Sequence, residues 1–126
     1  IAQRLLRKIC PRCVAAWAPS EEIKKTIEKQ LALASRGSNA IAIPTQLYKG
    51  KGCDACSKTG YSGQIGIFEI LNVTPTIKAL IKPGASIEDL RKAARSEGMK
   101  TMFEDGLAKA EAGLTTIDEV FRVIME

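Results

Sequence analysis

The chain has 126 residues, 45% of them hydrophobic and 5% aromatic, which suits one domain or two very small ones with a mainly aliphatic core. It contains no histidine, and this excludes Ser–His and Cys–His nucleophile pairs as well as mixed Cys/His metal sites. The net charge of +5 is uneven, since residues 1–60 carry 11 Lys/Arg and 4 Asp/Glu whereas residues 61–126 carry 8 and 10, and no apolar run approaches the roughly 20 residues of a membrane span.

The first segment, Ile1–Ile9, is ambiguous. Its larger apolar residues have a spacing that suits a helix, and a strand would alternate less cleanly. The start of the sequence shows no signal-peptide pattern. Because the sequence begins with isoleucine, we expect a piece cut from a longer protein.

Two cysteine pairs with the same spacing follow, Cys10 with Cys13 and Cys53 with Cys56. Two intervening residues let a tight turn point both sulfurs at one centre, and two such turns supply the four-sulfur shell that zinc prefers. We therefore predict one Zn²⁺ ion on four thiolates. Two disulfides, a redox dithiol, an iron–sulfur cluster and unrelated buried thiols are the alternatives.

Glycines lie around the second pair, and cations lie near both pairs. Glycine lets backbone N–H groups turn toward a thiolate, and cations offset the charge of a four-thiolate centre. A basic surface for phosphate or anionic lipid is the alternative role of the cations. The residues concerned are Gly50, Gly52, Gly60 and Gly63, with Arg7, Lys8, Arg12, Lys49, Lys51 and Lys58.

The long spacer between the cysteine pairs is predicted to hold a helix. Pro19-Ser20 opens it with Ser20 as the N-cap, and Arg36-Gly37 closes it before a loop over Gly37–Pro44. The apolar stripe of this helix consists of Ile23, Ile27, Leu31 and Ala34.

Two short strands come next. Leu47–Lys49 leads into the second cysteine turn, and Ile65–Leu71 is apolar and β-branched, with Gly63 and Asn72 as its bounds. After Leu71 the pattern changes to short helices. Thr74-Pro75 begins the first one, and the spacing of a capping residue followed by an acidic residue recurs at Ser86/Asp89, Thr101/Glu104 and Thr116/Glu119.

Gly98 and Gly113 are predicted to end the second and third of these helices. The carboxylates of this region are interpreted as helix caps. No phosphate-binding loop of the Walker or dinucleotide type occurs, so the sequence offers no catalytic and no nucleotide-binding residues.

Three groups of residues, in order along the chain, resemble the C-terminal part of the hexameric traffic ATPases of type II secretion and type IV pilus assembly. The first group is Ala2–Arg7 running into Cys10–Cys13. The second is Leu47-Tyr48 with Gly52–Tyr61 and Gly66–Glu69. The third is Glu97–Met99 with Glu104–Leu107 and Ala112–Thr116.

The resemblance implies a cytoplasmic motor at the inner face of the bacterial inner membrane. It implies that ATP, Mg²⁺ and the catalytic boxes belong to an upstream core that is missing here, and that Cys10, Cys13, Cys53 and Cys56 bind structural zinc. The implied partners are that core, neighbouring subunits of a homo-hexamer and inner-membrane platform proteins, without nucleic acid. It also favours Ile1–Ile9 as a strand, because that segment and Ile65–Leu71 are sheet strands in the family.

The expected fold is therefore α+β and mostly helical. Residues 1–72 are predicted to form a zinc-binding subdomain, in which a two-stranded sheet carries a four-cysteine knuckle with a helical insertion. Residues 73–126 are predicted to form a bundle of short helices. The expected function is the zinc-binding C-terminal domain of a pilus-assembly or secretion ATPase, with no enzymatic activity of its own. The alternative is a zinc-ribbon module that binds nucleic acid, which the basic charge near the cysteines favours and the scarcity of aromatic residues disfavours.

Overall fold

The computed structural model describes residues 1–34 and 43–125. They form four strands and five α-helices in an α+β arrangement, as predicted. The strands are β1 (Ala2–Ile9), β2 (Val14–Trp17), β3 (Leu47–Gly50) and β4 (Tyr61–Glu69); the helices are α1 (Glu21–Ala34), α2 (Pro75–Leu80), α3 (Ile87–Ser96), α4 (Met102–Glu111) and α5 (Ile117–Ile124).

The first two-stranded sheet joins the beginning of the chain to its middle. β1 pairs antiparallel with β4, so that Leu6 lies opposite Ile65 and Arg4 opposite Ile67. The helical spacing of Ile1–Ile9 is thus overridden and the strand expectation is confirmed. β4 begins at Tyr61, four residues before the predicted start, because pairing with β1 continues to Ile9.

A second two-stranded sheet continues beyond the cysteines. β2 pairs antiparallel with β3, from Val14 opposite Gly50 to Trp17 opposite Leu47. β3 matches the predicted Leu47–Lys49 strand with one more residue. The short β2 strand was not predicted. The chain thus forms two ribbons end to end, and the cysteine turns lie at the junction between them.

The insertion between the cysteine pairs contains helix α1, as predicted. The Ser20 hydroxyl accepts a hydrogen bond from the Ile23 N–H at 3.3 Å, which satisfies one of the free donors at the start of the helix. Ile27 and Leu31 of the apolar stripe are buried. The predicted helix end at Arg36-Gly37 and most of the predicted loop lie outside the described residues.

The predicted caps of the later helices are confirmed. The hydroxyls of Thr74, Ser86, Thr101 and Thr116 each accept a hydrogen bond from a backbone N–H in the first turn of the following helix. At α4 the box is complete, because the Glu104 carboxylate also accepts from the Thr101 N–H at 3.0 Å. Helices α3 and α4 end just before Gly98 and Gly113. None of the described helices combines the length and apolar character needed to cross a bilayer.

One apolar core joins the ribbons to the last two helices. It contains Leu6, Ile67 and Leu47 from the strands and Ile27 and Leu31 from α1, packed against Phe103, Leu107, Ala110, Ile117, Val120 and Val123 of α4 and α5. Burial of this cluster stabilises the fold, at about 25 cal/mol per Å² of apolar surface removed from water. It draws on both sides of residue 72, where the sequence places the subdomain boundary, and that boundary stays a prediction.

A buried carboxylate fastens α5 to β1. Glu119 is 1% exposed, and its oxygens accept from the Arg7 amide at 2.9 Å and from the Arg7 guanidinium at 2.7 and 3.0 Å. Arg122 donates to the same carboxylate at 2.9 and 3.2 Å. The interpretation of Glu119 as a capping carboxylate was therefore wrong, since the side chain lies on the inner face of α5 and pairs across the fold.

The pKa of Glu119 reflects these contacts. Burial alone would raise the pKa, but hydrogen bonds from Arg122 and Arg7 outweigh it and lower the pKa to about 2 from an ordinary value of 4.5. A carboxylate whose pKa is depressed on folding contributes stability above its unfolded pKa. That contribution is lost as the pH falls toward the folded value.

We predict that Glu119→Gln lowers the free energy of unfolding at neutral pH by about 3 kcal/mol. This is the low end for removing one partner of a buried pair, because both guanidiniums are half exposed. The difference from the unmodified chain should shrink as the pH falls from about 4.5 to about 2. Urea unfolding of metal-depleted protein measures it. Asp118→Asn, on the exposed side of α5, is the matched control, and an equal loss in both variants would contradict the assignment.

Candidate metal centre

The structure brings all four predicted cysteines together. Cys10 and Cys13 lie in the turn between β1 and β2, and Cys53 and Cys56 lie between β3 and β4. Their sulfur atoms are all within 4.8 Å of one another and can hold a metal ion. Cys10 and Cys56 are buried, whereas Cys13 and Cys53 are partly exposed.

Local backbone hydrogen bonds shape the two turns in the same way. The Cys13 N–H donates to the Cys10 carbonyl at 3.3 Å, and the Cys56 N–H donates to the Cys53 carbonyl at 3.3 Å. Both turns therefore direct their second sulfur back toward the first. In the second turn, the backbone of Asp54–Cys56 forms a short 3-10 helix.

Two further hydrogen bonds join one turn to the other. The Cys10 N–H donates to the Gly60 carbonyl at 3.0 Å, and the Lys51 N–H donates to the Cys13 carbonyl at 3.1 Å. These bonds continue the strand pairing of the two ribbons into the turns. The spacing of the cysteine pairs is thus fixed by the backbone and not only by side-chain conformation.

The sulfur separations are those of free thiols around a common centre. Sγ–Sγ distances are 3.8 Å for Cys10–Cys53, 3.8 Å for Cys13–Cys56 and 3.7 Å for Cys53–Cys56. A disulfide requires about 2.05 Å, so all four cysteines are free. Four ionised sulfurs this close together repel one another strongly, and a bound cation is what relieves that repulsion.

Backbone N–H groups already favour the thiolate form at one position. The N–H of Cys53 donates to the Cys56 sulfur at 3.3 Å, and that of Gly60 donates to it at 3.2 Å. These bonds lower the pKa of Cys56, whereas burial raises the pKa of Cys13. The sequence interpretation, that glycine would let an amide approach a thiolate, is confirmed at Gly60.

Three of the cations expected to offset the thiolate charge have other contacts. Lys58 pairs with Asp54 at 2.9 Å, and Arg7 pairs with Glu119 and lies 4.1 Å above the ring of Tyr61. The Lys49 ammonium lies 5.8 Å above the ring of Trp17. The N–H groups of Cys53 and Gly60, by contrast, donate directly to the Cys56 sulfur.

A second set of residues near the centre was not identified from the sequence. The Tyr61 hydroxyl and the Thr116 hydroxyl are 3.0 Å apart, and the Ile9 N–H donates to the Leu114 carbonyl at 2.9 Å. Both contacts join residues next to the cysteine turns to the loop between α4 and α5. No local sequence pattern predicts these contacts, because the partners are far apart along the chain.

Comparison with known proteins agrees with this arrangement. The model of the family described as "Type II/IV secretion system protein" matches residues 1–122. The chain belongs to this family. It is 39% identical over its whole length to the type IV pilus assembly ATPase PilB of Thermus thermophilus, and 34% identical over its whole length to the type II secretion system protein E of Pseudomonas aeruginosa. It is 36% identical over 98% of its length to the protein transport protein HofB homolog of Escherichia coli.

The match is to a small part of each secretion-family relative. The chain spans 13% of the Thermus protein, 23% of the Pseudomonas protein and 24% of the Escherichia protein. The match over residues 1–122 confirms the family inferred from the three groups of residues. That the chain is the C-terminal part of such a protein stays a prediction.

The turn at Gly60 allows a test of how closely the backbone packs beside the four-cysteine site. Gly60 and Gly63 have nearly the same positive φ, 82° and 81°, so alanine is strained at both by about 1–2 kcal/mol. A Cβ on Gly60 would lie 2.6 Å from the Gly50 carbonyl oxygen, whereas a Cβ on Gly63 has no atom within 4 Å.

We therefore predict that Gly60→Ala lowers the free energy of unfolding by about 1–3 kcal/mol more than Gly63→Ala does, since overpacking adds to the shared backbone strain. Urea titration of both metal-depleted variants in reducing buffer gives the difference. Equal values for the two variants would mean that the contact between the metal turn and β3 is loose.

Proposed function

We propose that Cys10, Cys13, Cys53 and Cys56 bind one zinc ion. The observation that carries this proposal is the sulfur spacing. Sulfurs at about 2.3 Å from a central ion in a tetrahedron lie about 3.8 Å from one another, and three of the Sγ–Sγ distances are 3.7 or 3.8 Å. An iron–sulfur cluster would hold the cysteines farther apart, because several iron and sulfide atoms must fit between them.

Zinc in this site has a structural role. Four protein ligands leave no open position for a water molecule or a substrate, unlike a catalytic zinc site with three protein ligands. The ion links the junction of the two ribbons and closes the segment that carries α1. Its binding free energy then appears as folding free energy, because the ligands come from distant parts of the chain.

The chain is proposed to be the C-terminal part of a longer type II secretion or type IV pilus assembly ATPase. The family match over residues 1–122 supports this, as does the small share of the relatives that the chain spans. ATP and Mg²⁺ belong to the core upstream. This chain does not hydrolyse ATP, since it has neither a phosphate-binding loop nor a histidine.

Contact with other parts of the motor is the proposed role of the domain. Exposed apolar side chains support it, because large apolar surfaces on a folded protein mark contact sites. Leu5, Ile70, Val73 and Ile87 are each more than half exposed. The proposed partners are the upstream core, neighbouring subunits of a homo-hexamer and inner-membrane platform proteins.

The setting that goes with this role is the bacterial cytoplasm at the inner membrane. Residues 1–72 supply the zinc knuckle and residues 73–126 the helical region. The named relatives favour this interpretation over the nucleic-acid alternative, because they are described as ATPases of pilus assembly and proteins of secretion.

The first prediction here concerns the ion. Purified chain should contain one zinc per molecule, and X-ray absorption at the zinc edge should show sulfur ligands only, at about 2.3 Å. The physical reason is that the structure offers four sulfurs and no imidazole. Iron in elemental analysis, or a disulfide within either cysteine pair, would refute the assignment.

The second prediction concerns the role of the zinc in the full-length parent. Changing Cys53 and Cys56 to serine should abolish zinc binding and loosen residues 10–56, since the two ribbons lose their link. ATPase activity in vitro should persist, because no catalytic residue lies in this region, whereas pilus or secretion-filament assembly in cells should fail.

Ala55→Ser is the matched control for that variant. Ala55 is an exposed residue of the same turn, so the substitution adds a hydroxyl without removing a ligand. Normal assembly by a variant shown to lack zinc would mean that the ion serves stability alone. Loss of ATPase activity in the same variant would instead place part of the catalytic machinery in this region.

A further inference from the structure

The loop between α4 and α5, together with the first turn of α5, contacts both sides of the metal centre. We refer to its four contacting residues, Leu114, Thr115, Thr116 and Glu119, as the 114–119 segment. On the first side it holds the end of β1. The Leu114 carbonyl accepts from the Ile9 N–H at 2.9 Å, and the Thr115 hydroxyl donates to the Arg7 carbonyl at 2.8 Å.

The Glu119 carboxylate completes the contact with β1. It accepts three hydrogen bonds from Arg7, one from the backbone and two from the guanidinium. Arg7 and Ile9 directly precede the first cysteine turn. The 114–119 segment therefore adds a restraint on the part of β1 that leads into Cys10.

On the second side the segment holds the start of β4. The Thr116 and Tyr61 hydroxyls are 3.0 Å apart. Tyr61 follows Gly60, whose N–H donates to the Cys56 sulfur at 3.2 Å and whose carbonyl accepts from the Cys10 N–H at 3.0 Å. The Thr116 contact is thus made by the residue next to a direct donor to a ligand sulfur.

On the side of the 114–119 segment, the side chains that make these contacts are buried. Thr115 is 0% exposed, Thr116 is 4% exposed and Glu119 is 1% exposed. Breaking a buried hydrogen bond leaves a donor or acceptor without water to replace its partner. The segment therefore holds the two cysteine turns at a fixed separation before any ion binds, and a site arranged in advance binds its ion more tightly.

We propose that the 114–119 segment is a positioning element that sets the metal affinity of the four-cysteine site. The inference rests on the proposed zinc site and adds residues that supply no ligand to the ion. Coupling of this kind is reciprocal, so metal binding also strengthens the docking of α5 on β1. A merely structural segment would instead stabilise the metal-free and metal-loaded forms equally and leave the zinc affinity unchanged.

Two substitutions test the element from its two sides. Tyr61→Phe removes only the hydroxyl that meets Thr116 and keeps the ring beneath Arg7. Glu119→Gln weakens the hold on β1. Each has a matched control that leaves the hydrogen bonds of the 114–119 segment in place. Tyr48→Phe removes a hydroxyl that meets Gln46, and Glu104→Gln alters a buried carboxylate that pairs with Arg95.

The measurement is the zinc dissociation constant of each purified variant, from competition with a chromophoric chelator, with circular dichroism of the metal-free form. Tyr61→Phe and Glu119→Gln should weaken zinc binding about tenfold or more, the range seen when partners of metal ligands are removed. The two control variants should stay within about twofold of the unmodified chain.

The outcomes separate the two proposals. If the unmodified chain binds no zinc, the proposed metal site fails, and this inference fails with it. If the chain binds one zinc but Tyr61→Phe and Glu119→Gln bind it as tightly as the controls do, the site stands and the positioning role is overturned. An equal loss of affinity in test and control variants also overturns it. Should Glu119→Gln not fold, Tyr61→Phe alone decides.

Discussion

The hydrogen bond from the Cys10 amide to the Gly60 carbonyl is where the parts of this molecule meet. It extends the β1–β4 pairing by one residue and joins the two cysteine turns. Gly60 also donates to the Cys56 sulfur and approaches the backbone of Gly50 so closely that no side chain fits between them. Strand pairing, turn geometry and the positions of the sulfurs thus meet in one backbone arrangement at Gly60.

Sequence patterns predicted the structure correctly where the interacting groups are only two or three residues apart. A capping hydroxyl acts on amides two or three residues away, so Ser86, Thr101 and Thr116 could be assigned from spacing alone. The cysteine turns belong to the same class, because two intervening residues already determine how the sulfurs converge. Ile1–Ile9 was different. Its spacing suits a helix, yet burial of Leu6 and Ile9 and pairing with β4 stabilise a strand, and only a partner some sixty positions later in the chain reveals that.

The contacts that hold the metal turns in place could not be predicted from spacing, because their partners lie 55 positions apart for Tyr61–Thr116 and 112 for Arg7–Glu119. One sequence feature of Glu119 could have indicated its role. It lies four residues before Val123, and both are buried, so the two share the inner face of α5. An acidic residue on an apolar face requires a buried cation or donor. The capping pattern explained the Glu119 amide but wrongly assigned its carboxylate to the cap.

The helices after Asn72 are held in two different ways. Helices α4 and α5 supply six of the residues in the apolar core, whereas α2 and α3 supply none of the described members of that cluster. Helices α2 and α3 bury Ile77 and Ala94 outside that cluster. Polar contacts also bind them, through the Thr74 hydroxyl to Glu97 at 2.9 and 3.0 Å and through Arg95 to the buried Glu104. Helices α4 and α5 therefore belong with the ribbons and the cysteine turns as one packed unit. Because the 114–119 segment joins those two helices, it holds the metal turns from helices that supply six residues of that core. This packing is the physical basis for its hold on the centre.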